Sequence, residues 1–307
     1  MSWSDAHGTA MIAAAQAHEQ LAVPWDDGYI DVFKALYAEE LEVIGKPLGG
    51  LLGLYVDAAD GGPACLLNTG LDEVNMRHTA AHELGHHRLG HGTSYDHQEQ
   101  AVGRWGEGWA QEEKDAEAFA SWFLIPRPAA RAALARCGLD RPRTPQEVYR
   151  MARWLGAPYA TTVRHLVRLK MISRATESLW LRSSPGTLKA ALVGDLPLAP
   201  RAHVHVLTLA AHRATVHAQP GDCLLLNIPS SHFDHVPTGL TSTPPDVAGQ
   251  LLMPGPDDDS SPVRAVWVDE ELEDPGTLSA AVPGSPAPFT VRVQRAPDRR
   301  GSDHYRR

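Results

Sequence analysis

Ile30, Phe33, Leu36, Tyr37, Leu41 and Ile44 recur at three- and four-residue intervals, which predicts an amphipathic helix closing near Gly45, downstream of an alanine-rich opening segment. The next apolar runs are short. LLGLYVDA (51–58) and CLLNTG (65–70), parted by the turn-like DGGP, read as two strands of a hairpin or small sheet. A helical period returns over 109–124, where Ala116, Phe119, Ala120 and Phe123 form the apolar stripe and Pro126 forbids continuation. Two further helical patterns, 145–155 and 159–170, are joined by Gly156-Ala157-Pro158, the length and punctuation of a helix-turn-helix. Beyond Arg174 the texture changes to short strand-like runs, HVHVLTLAA (203–211), DCLLLNI (222–228), AVWV (265–268) and FTVRV (289–293). Residues 237–262 have the composition of a long loop, and the closing APDRRGSDHYRR that of a disordered tail.

The 307 residues exceed a typical single domain, and at 43% hydrophobic they suffice for ordinary cores, so two or three domains are expected. No apolar run approaches the ~18 residues needed to span a bilayer, and the first twenty residues lack the layout of a secretory signal. The expectation is a soluble, cytoplasmic protein without a membrane partner. Cys65, Cys137 and Cys223 lie too far apart for a CxxC clip and read as reduced, buried thiols. A net charge of −9 argues against general affinity for nucleic acid, but it conceals an asymmetry. Between Arg127 and Arg174 eleven Arg and Lys face two acids, a net +9 that leaves −18 for the remainder.

The chemistry concentrates in RHTAAHELGHHRLGHG, residues 77–92, with five histidines and one glutamate. Within it His82-Glu83-Leu84-Gly85-His86 is an H-E-x-x-H pattern. On a helix the i and i+4 imidazoles share one face and can reach one zinc ion, and the intervening carboxylate can move a proton from metal-bound water to a leaving amine. The bland alternative is a polar helix with solvated histidines, against which Ala80, Ala81, Leu84 and Gly85 flank the pattern as buried positions would. A third ligand at the usual downstream histidine is missing, since 89 is leucine and 92 glycine. The carboxylates of the 109–124 helix are the source that remains. Glu113 aligns with Ala116 and Ala120 and so points inward, Glu112 lies on a nearly equivalent line, and Glu117 is one turn on. Tyr95, His97 and His91 follow closely enough to donate to an oxyanion, although a polar loop after a helix needs no such reason.

RHTAAHELGH (77–86), followed by Glu113-Lys-Asp-Ala-Glu-Ala-Phe-Ala-Ser-Trp-Phe-Leu-Ile-Pro126, resembles the ImmA/IrrE metallopeptidase family, whose pattern is FxLAHELGH and then ExxAxxFAxxLLxP. His78 and Ala80 stand where aromatic and aliphatic residues are usual, and Phe123-Leu124-Ile125 replaces Leu-Leu-Met. The resemblance implies one zinc per chain, or another divalent metal in its place, held by His82, His86 and Glu113, with Glu83 as general base. The three-part layout is similar to the radiation-response regulators of that family in Deinococcus. It implies a multidomain α+β chain: a zincin-like (thermolysin-like) domain over 1–126, a helical helix-turn-helix-like domain over 127–178, a GAF-like α/β domain over 179–294 and a disordered tail over 295–307. The implied activity is a site-specific cut in a helix-turn-helix transcriptional repressor, which induces DNA-damage and radiation response genes.

Arg164, Arg168 and Lys170 are the residues that would face a groove or phosphates if the basic segment bound DNA. The alternative function is therefore a DNA-binding transcriptional regulator with a structural zinc. The same charge could dock an acidic surface of a protein substrate, or simply populate solvated helix faces. His203, His205, His212, His217, His232 and His235 crowd the C-terminal part, but none pair at i, i+4 around an acid. Alternation in HVHV puts His203 and His205 on one strand face, expected to meet solvent or a domain interface. A GAF-like domain would imply a small-molecule signal as a further partner.

Overall fold

The computed structural model describes residues 2–22, 28–97, 108–228, 233, 235–242, 265–272 and 275–296. The chain divides into two compact units, one holding Met1–Ala129 with Leu155–His165, the other Ala130–Trp154 with Leu166–Ala296. The stretch 127–178, set apart by sequence as a helix-turn-helix domain, contributes to both.

In the first unit, α1 (Trp3–Gln20) begins with a capping box between Ser2 and Asp5, and Ala6, Ala10, Ala14 and Ala17 form a fully buried stripe. Small side chains let this helix lie close against α4 (Gln111–Leu124), and the His18 ring meets the Phe123 carbonyl at 2.9 Å. The helix expected over 30–44 is shorter: α2 spans Val32–Ala38, and β1 (Glu42–Lys46) follows. Glu40 adopts φ +58°, which ends the helix, and Val43 and Ile44 then pair with Cys65 and Leu66. β2 (Leu51–Val56) and β3 (Ala64–Asn68) form the expected antiparallel pair, β1 joins β3 in parallel, and β4 (Ser94–His97) adds to the free side of β2. The sheet order is β1-β3-β2-β4. Across β2 and β3 lies α3 (Glu73–Leu89), which also packs along α4. Phe119, Phe123 and Leu124 of α4 are fully buried, each stabilising by roughly 2–3 kcal/mol.

The second unit begins with most of α5 (Arg127–Arg136) and α6 (Pro145–Leu155), while α7 (Tyr159–Arg168) starts in the first unit. The helix pair joined at 156–158 has the limits expected to within two residues. Next come α8 (Arg174–Trp180) and α9 (Pro185–Val193). One sheet orders β5 (Val204–Leu207), β7 (Cys223–Leu226), β9 (Ala265–Val268) and β8 (Leu240–Thr241), with β5 and β7 parallel. The other orders β10 (Gly276–Ala280), β11 (Phe289–Arg295) and β6 (Thr215–Ala218). The buried Tyr149 hydroxyl of α6 accepts from Val204 N–H at 3.2 Å, which ties that helix to the start of β5. The last strand runs into the expected tail: Arg295 pairs with Ala218, and the buried Ala296 donates its N–H to Ala218, so main-chain hydrogen bonds hold both residues. Of the predicted loop, 243–262 lies outside the described residues, as do 297–307 of the tail. All three cysteines are free and buried, as expected. Among the described residues no helix is long and apolar enough to cross a membrane.

Candidate metal centre

Asp72 caps α3 by accepting from Asn75 N–H, and Gly90, at φ +69°, ends it. Between these caps Thr79 to His86 are buried without interruption, because the sheet covers one side of the helix and α4 another. His82 and His86, one turn apart, bring their Nε2 atoms to 3.1 Å of each other. Glu113 enters from the first turn of α4, where the partial positive charge of the helix end favours a carboxylate. Its Oε2 lies 3.3 Å from His82 Nε2, and its Oε1 3.6 Å from His86 Nε2. Gly85 permits this approach, since a Cβ there would sit 3.0 Å from the Ala116 Cα and 3.1 Å from the Ala116 carbonyl oxygen.

These three side chains form the one cluster among the described residues whose donor atoms could hold a metal ion together. The Nε2–Nε2 distance of 3.1 Å and the 3.3 Å from His82 Nε2 to Glu113 Oε2 lie close to the ~3.3 Å between ligand atoms on a tetrahedral ion with bonds of roughly 2.0–2.1 Å, and the second Glu113 oxygen is 3.6 Å from His86 Nε2. Two imidazoles and one carboxylate are also the donor set of a catalytic zinc. The residues fit the ion.

The electrostatics agree. Burial alone would raise the Glu113 carboxyl, but His82, Ser94 and His86 hold it down to about 2. His86 is pushed down to about 3 by burial and by its neighbour His82. Burial opposes a charge on His82 as well, yet Glu113 and Glu117 on either side overcome it and favour the protonated ring. The centre is thus a place for one positive charge, which a metal ion would supply in place of that proton.

Glu83 is fully buried, and neither carboxylate oxygen has a hydrogen-bond partner among the described residues. Burial holds its carboxyl well above the ordinary range. The side chain fits only because β2 carries Gly53: a Cβ at 53 would fall on Glu83 Oε1 and 2.5 Å from the Thr79 Cγ2.

Of the carboxylates that spacing alone left open, Glu112 is exposed and Glu113 belongs to the cluster. Glu117 is buried behind it, with Oε2 at 2.8 Å from His78 Nε2 and 3.7 Å from His82 Nδ1. His78 therefore supports the centre from one turn before His82. Sequence reasoning gave no part to Ser94, whose hydroxyl donates to Glu113 Oε1 at 2.6 Å, or to Asp96, whose carboxyl burial raises. Both arrive through β4, and a four-residue edge strand after a helix leaves little pattern to read. His87 turns from the cluster to the Tyr55 hydroxyl, 3.1 Å from its Nδ1. His91 Nδ1 lies 2.9 Å from His86 Nδ1, Tyr95 is 55% exposed, and the side chain of His97 is outside the described residues.

Arg164 and Arg168 are half-buried, and Lys170 is exposed at φ +58°. Contrary to the expectation for HVHV, His205 is buried and its Nε2 meets Asp222 Oδ2 at 3.2 Å. His203 is half-buried, and its main-chain N–H donates to Asp222 Oδ1 at 2.7 Å. His232 lies outside the described residues, and the other C-terminal histidines join no cluster of metal-ligand type among those described.

Arg77, also on α3, is fully buried and ties the first unit together. Its guanidinium donates to the Ile30 carbonyl at 2.6 Å and the Gly156 carbonyl at 2.9 Å, and stacks 3.7 Å above the Tyr29 ring. Gly156, at φ +58°, has no room for a Cβ beside Tyr29 and Arg77. The helix bearing the histidines and the 156–158 turn are therefore parts of one packing unit. Among curated proteins the chain finds no match. Residues 41–162, which run from β1 through the metal centre to the first turn of α7, match the family described as Peptidase_M78, IrrE N-terminal-like domain. By this match the stretch that carries the metal centre is similar to the N-terminal domain of the IrrE metallopeptidases.

Proposed function

We propose that the protein is a zinc-dependent endopeptidase that makes a site-specific cut in a helix-turn-helix transcriptional repressor and so releases DNA-damage and radiation response genes. The observation that carries the peptidase reading is the fully buried Glu83 carboxylate, unpaired among the described residues, beside a three-residue ligand set. A structural zinc site is closed by four protein ligands, whereas three with one position open is the catalytic arrangement. An unpaired buried carboxylate costs several kcal/mol, so its retention calls for a task.

When bound, the metal supplies an acidified water and an electrophile for a peptide carbonyl. His82, His86 and Glu113 would hold it. Glu83 accepts a proton on one of its two free oxygens and returns it to the departing amine nitrogen, so no covalent acyl intermediate is needed. Burial between α3 and β2 keeps its carboxylate from solvent and from other donors.

For the substrate class, support comes from the sequence resemblance and from the appended regions, which suit a regulator better than a degradative enzyme. The net +9 segment from Arg127 to Arg174 would dock an acidic surface of the repressor. We read the 145–170 helix pair as helix-turn-helix-like and the C-terminal region as a GAF-like domain receptive to a small-molecule signal. Mass spectrometry of a repressor incubated with the wild type and zinc should reveal one cut. Glu83→Gln should abolish it by ~10³-fold or more while retaining zinc. A cut that survives that substitution or a chelator overturns the peptidase reading, and salt-dependent duplex binding by an inactive wild type would favour the DNA-binding alternative.

A further inference from the structure

The end of α3 contains a device the peptidase reading does not use. Gly90 takes the left-handed conformation one residue past the last helical turn, Gly90 N–H bonds the His87 carbonyl at 3.2 Å, and His91 N–H bonds the His86 carbonyl at 3.0 Å. This double closure is a Schellman motif, and it lays the residue after the glycine over the residue five positions earlier. An apolar pair usually occupies that contact. Here both positions are histidine: the rings lie 5.0 Å apart, inclined by 69°, with Nδ1 of His91 2.9 Å from Nδ1 of His86.

The direction of this hydrogen bond follows from the other end of the ring. His86 Nε2 faces His82 and Glu113, so its lone pair belongs to the metal centre and its proton must sit on Nδ1. His86 Nδ1–H then donates, and His91 Nδ1 accepts. Glu113 is held in the same manner from another element, by the Ser94 hydroxyl. A ligand whose rear atom is tied to a fixed partner is already oriented before the ion arrives.

We propose that His91 is the positioning residue of the metal centre, fixing the tautomer and ring orientation of His86 through a side-chain contact created by the helix cap. This inference rests on the reading of His82, His86 and Glu113 as metal ligands, but not on peptidase activity. It gives the Gly90-His91 pair a role distinct from a polar loop or an oxyanion donor. Asparagine carries an acceptor oxygen where histidine carries Nδ1, whereas phenylalanine keeps the ring and removes the acceptor.

The test uses the full chain loaded with zinc, a chromogenic chelator and, separately, cobalt(II) as a spectroscopic probe. His91→Phe should lose zinc to the chelator about 10–100-fold more readily than the wild type. Its metal-free melting temperature should stay close to that of the wild type, and its cobalt absorption bands should shift. His91→Asn should recover most of the retention and the wild-type cobalt spectrum. Wild-type retention in His91→Phe overturns the proposal, and so does a His91→Asn variant as leaky as His91→Phe. If the phenylalanine variant does not fold, the asparagine variant decides alone: retention within ~3-fold of the wild type upholds the proposal, and a tenfold loss sinks it. A wild type that holds zinc, weakens on His91→Phe and yet cuts no repressor removes the peptidase reading and leaves this one standing.

Discussion

Among the described residues two buried clusters of histidine and acid, one in each compact unit, are resolved in opposite ways. In the second unit Asp222 is 3% exposed and its oxygens are consumed locally. Oδ1 accepts from His203 N–H at 2.7 Å, and Oδ2 accepts from Gln219 N–H at 3.0 Å and from the His205 ring at 3.2 Å. The His205 ring first, then His203 and the Gln219 N–H, hold its carboxyl below the ordinary range despite burial. In the first unit the polar atoms face one another instead. His82, His86 and Glu113 turn their donor atoms inward to a common point, and Glu83 has no hydrogen-bond partner among the described residues. A buried polar cluster satisfied by backbone specifies a fold, and one left open specifies a ligand.

Filling the space that keeps Glu83 unpaired tests this contrast most severely. Gly53→Ala would place a methyl group on Glu83 Oε1 and against Thr79 Cγ2, so the carboxylate must swing away while His82, His86 and Glu113 keep their places. We expect cleavage to fall ~10²-fold, the scale of a displaced general base, with zinc affinity within about threefold of the wild type. Steady-state kinetics alongside chelator competition separates the two. A variant that cleaves at wild-type rates would remove the requirement for glycine at 53 and weaken the role of Glu83.

The legibility of these clusters in the sequence follows from the same contrast. His82, Glu83 and His86 lie within one helical turn, so spacing reveals them, and Glu113 follows from its alignment with the buried Ala116 and Ala120. Ser94 and Asp96 reach the centre through an edge strand whose position depends on β2, a tertiary fact with no local signature. The alanines at 6, 10, 14 and 17 do have a helical period, but alanine is a weak hydrophobic signal and its value lies in the close approach it allows. In the 30–44 stretch the helical period continues through Leu41 and Ile44 although the chain has already turned at Glu40, because a buried loop residue and a strand residue happen to keep the spacing. His205 read as a surface strand residue because its partner Asp222 is seventeen residues away, across a parallel pairing of β5 with β7.

The second cluster should behave as structure alone. Asp222→Ala deletes the acceptor for two main-chain N–H groups and one buried ring, an expected cost of about 2–4 kcal/mol. Denaturant unfolding followed in the second unit should register that loss, while zinc retention stays as in the wild type. A change in metal affinity as large as that in stability would erase the distinction between the clusters.

The smallest effect expected concerns pH. His203 has no hydrogen-bond partner on either ring nitrogen among the described residues, and burial together with the nearby Arg153 pushes its pKa down to about 2. Asp222 pulls the other way, and His205 and Lys189 add to the depression. The folded ring therefore binds a proton more weakly than the ordinary 6.5 of the unfolded chain. Stability is complete above pH 6.5 and declines as the pH falls below it, because protons accumulate on the unfolded state. One such group removes about 1.4 kcal/mol for each pH unit in this window. His203→Leu should flatten the fall between pH 6.5 and 5 by roughly that slope, measured by denaturant unfolding at several pH values. An unchanged slope would mean that the ring gains a partner on protonation, and that the C-terminal cluster is less closed than Asp222 suggests.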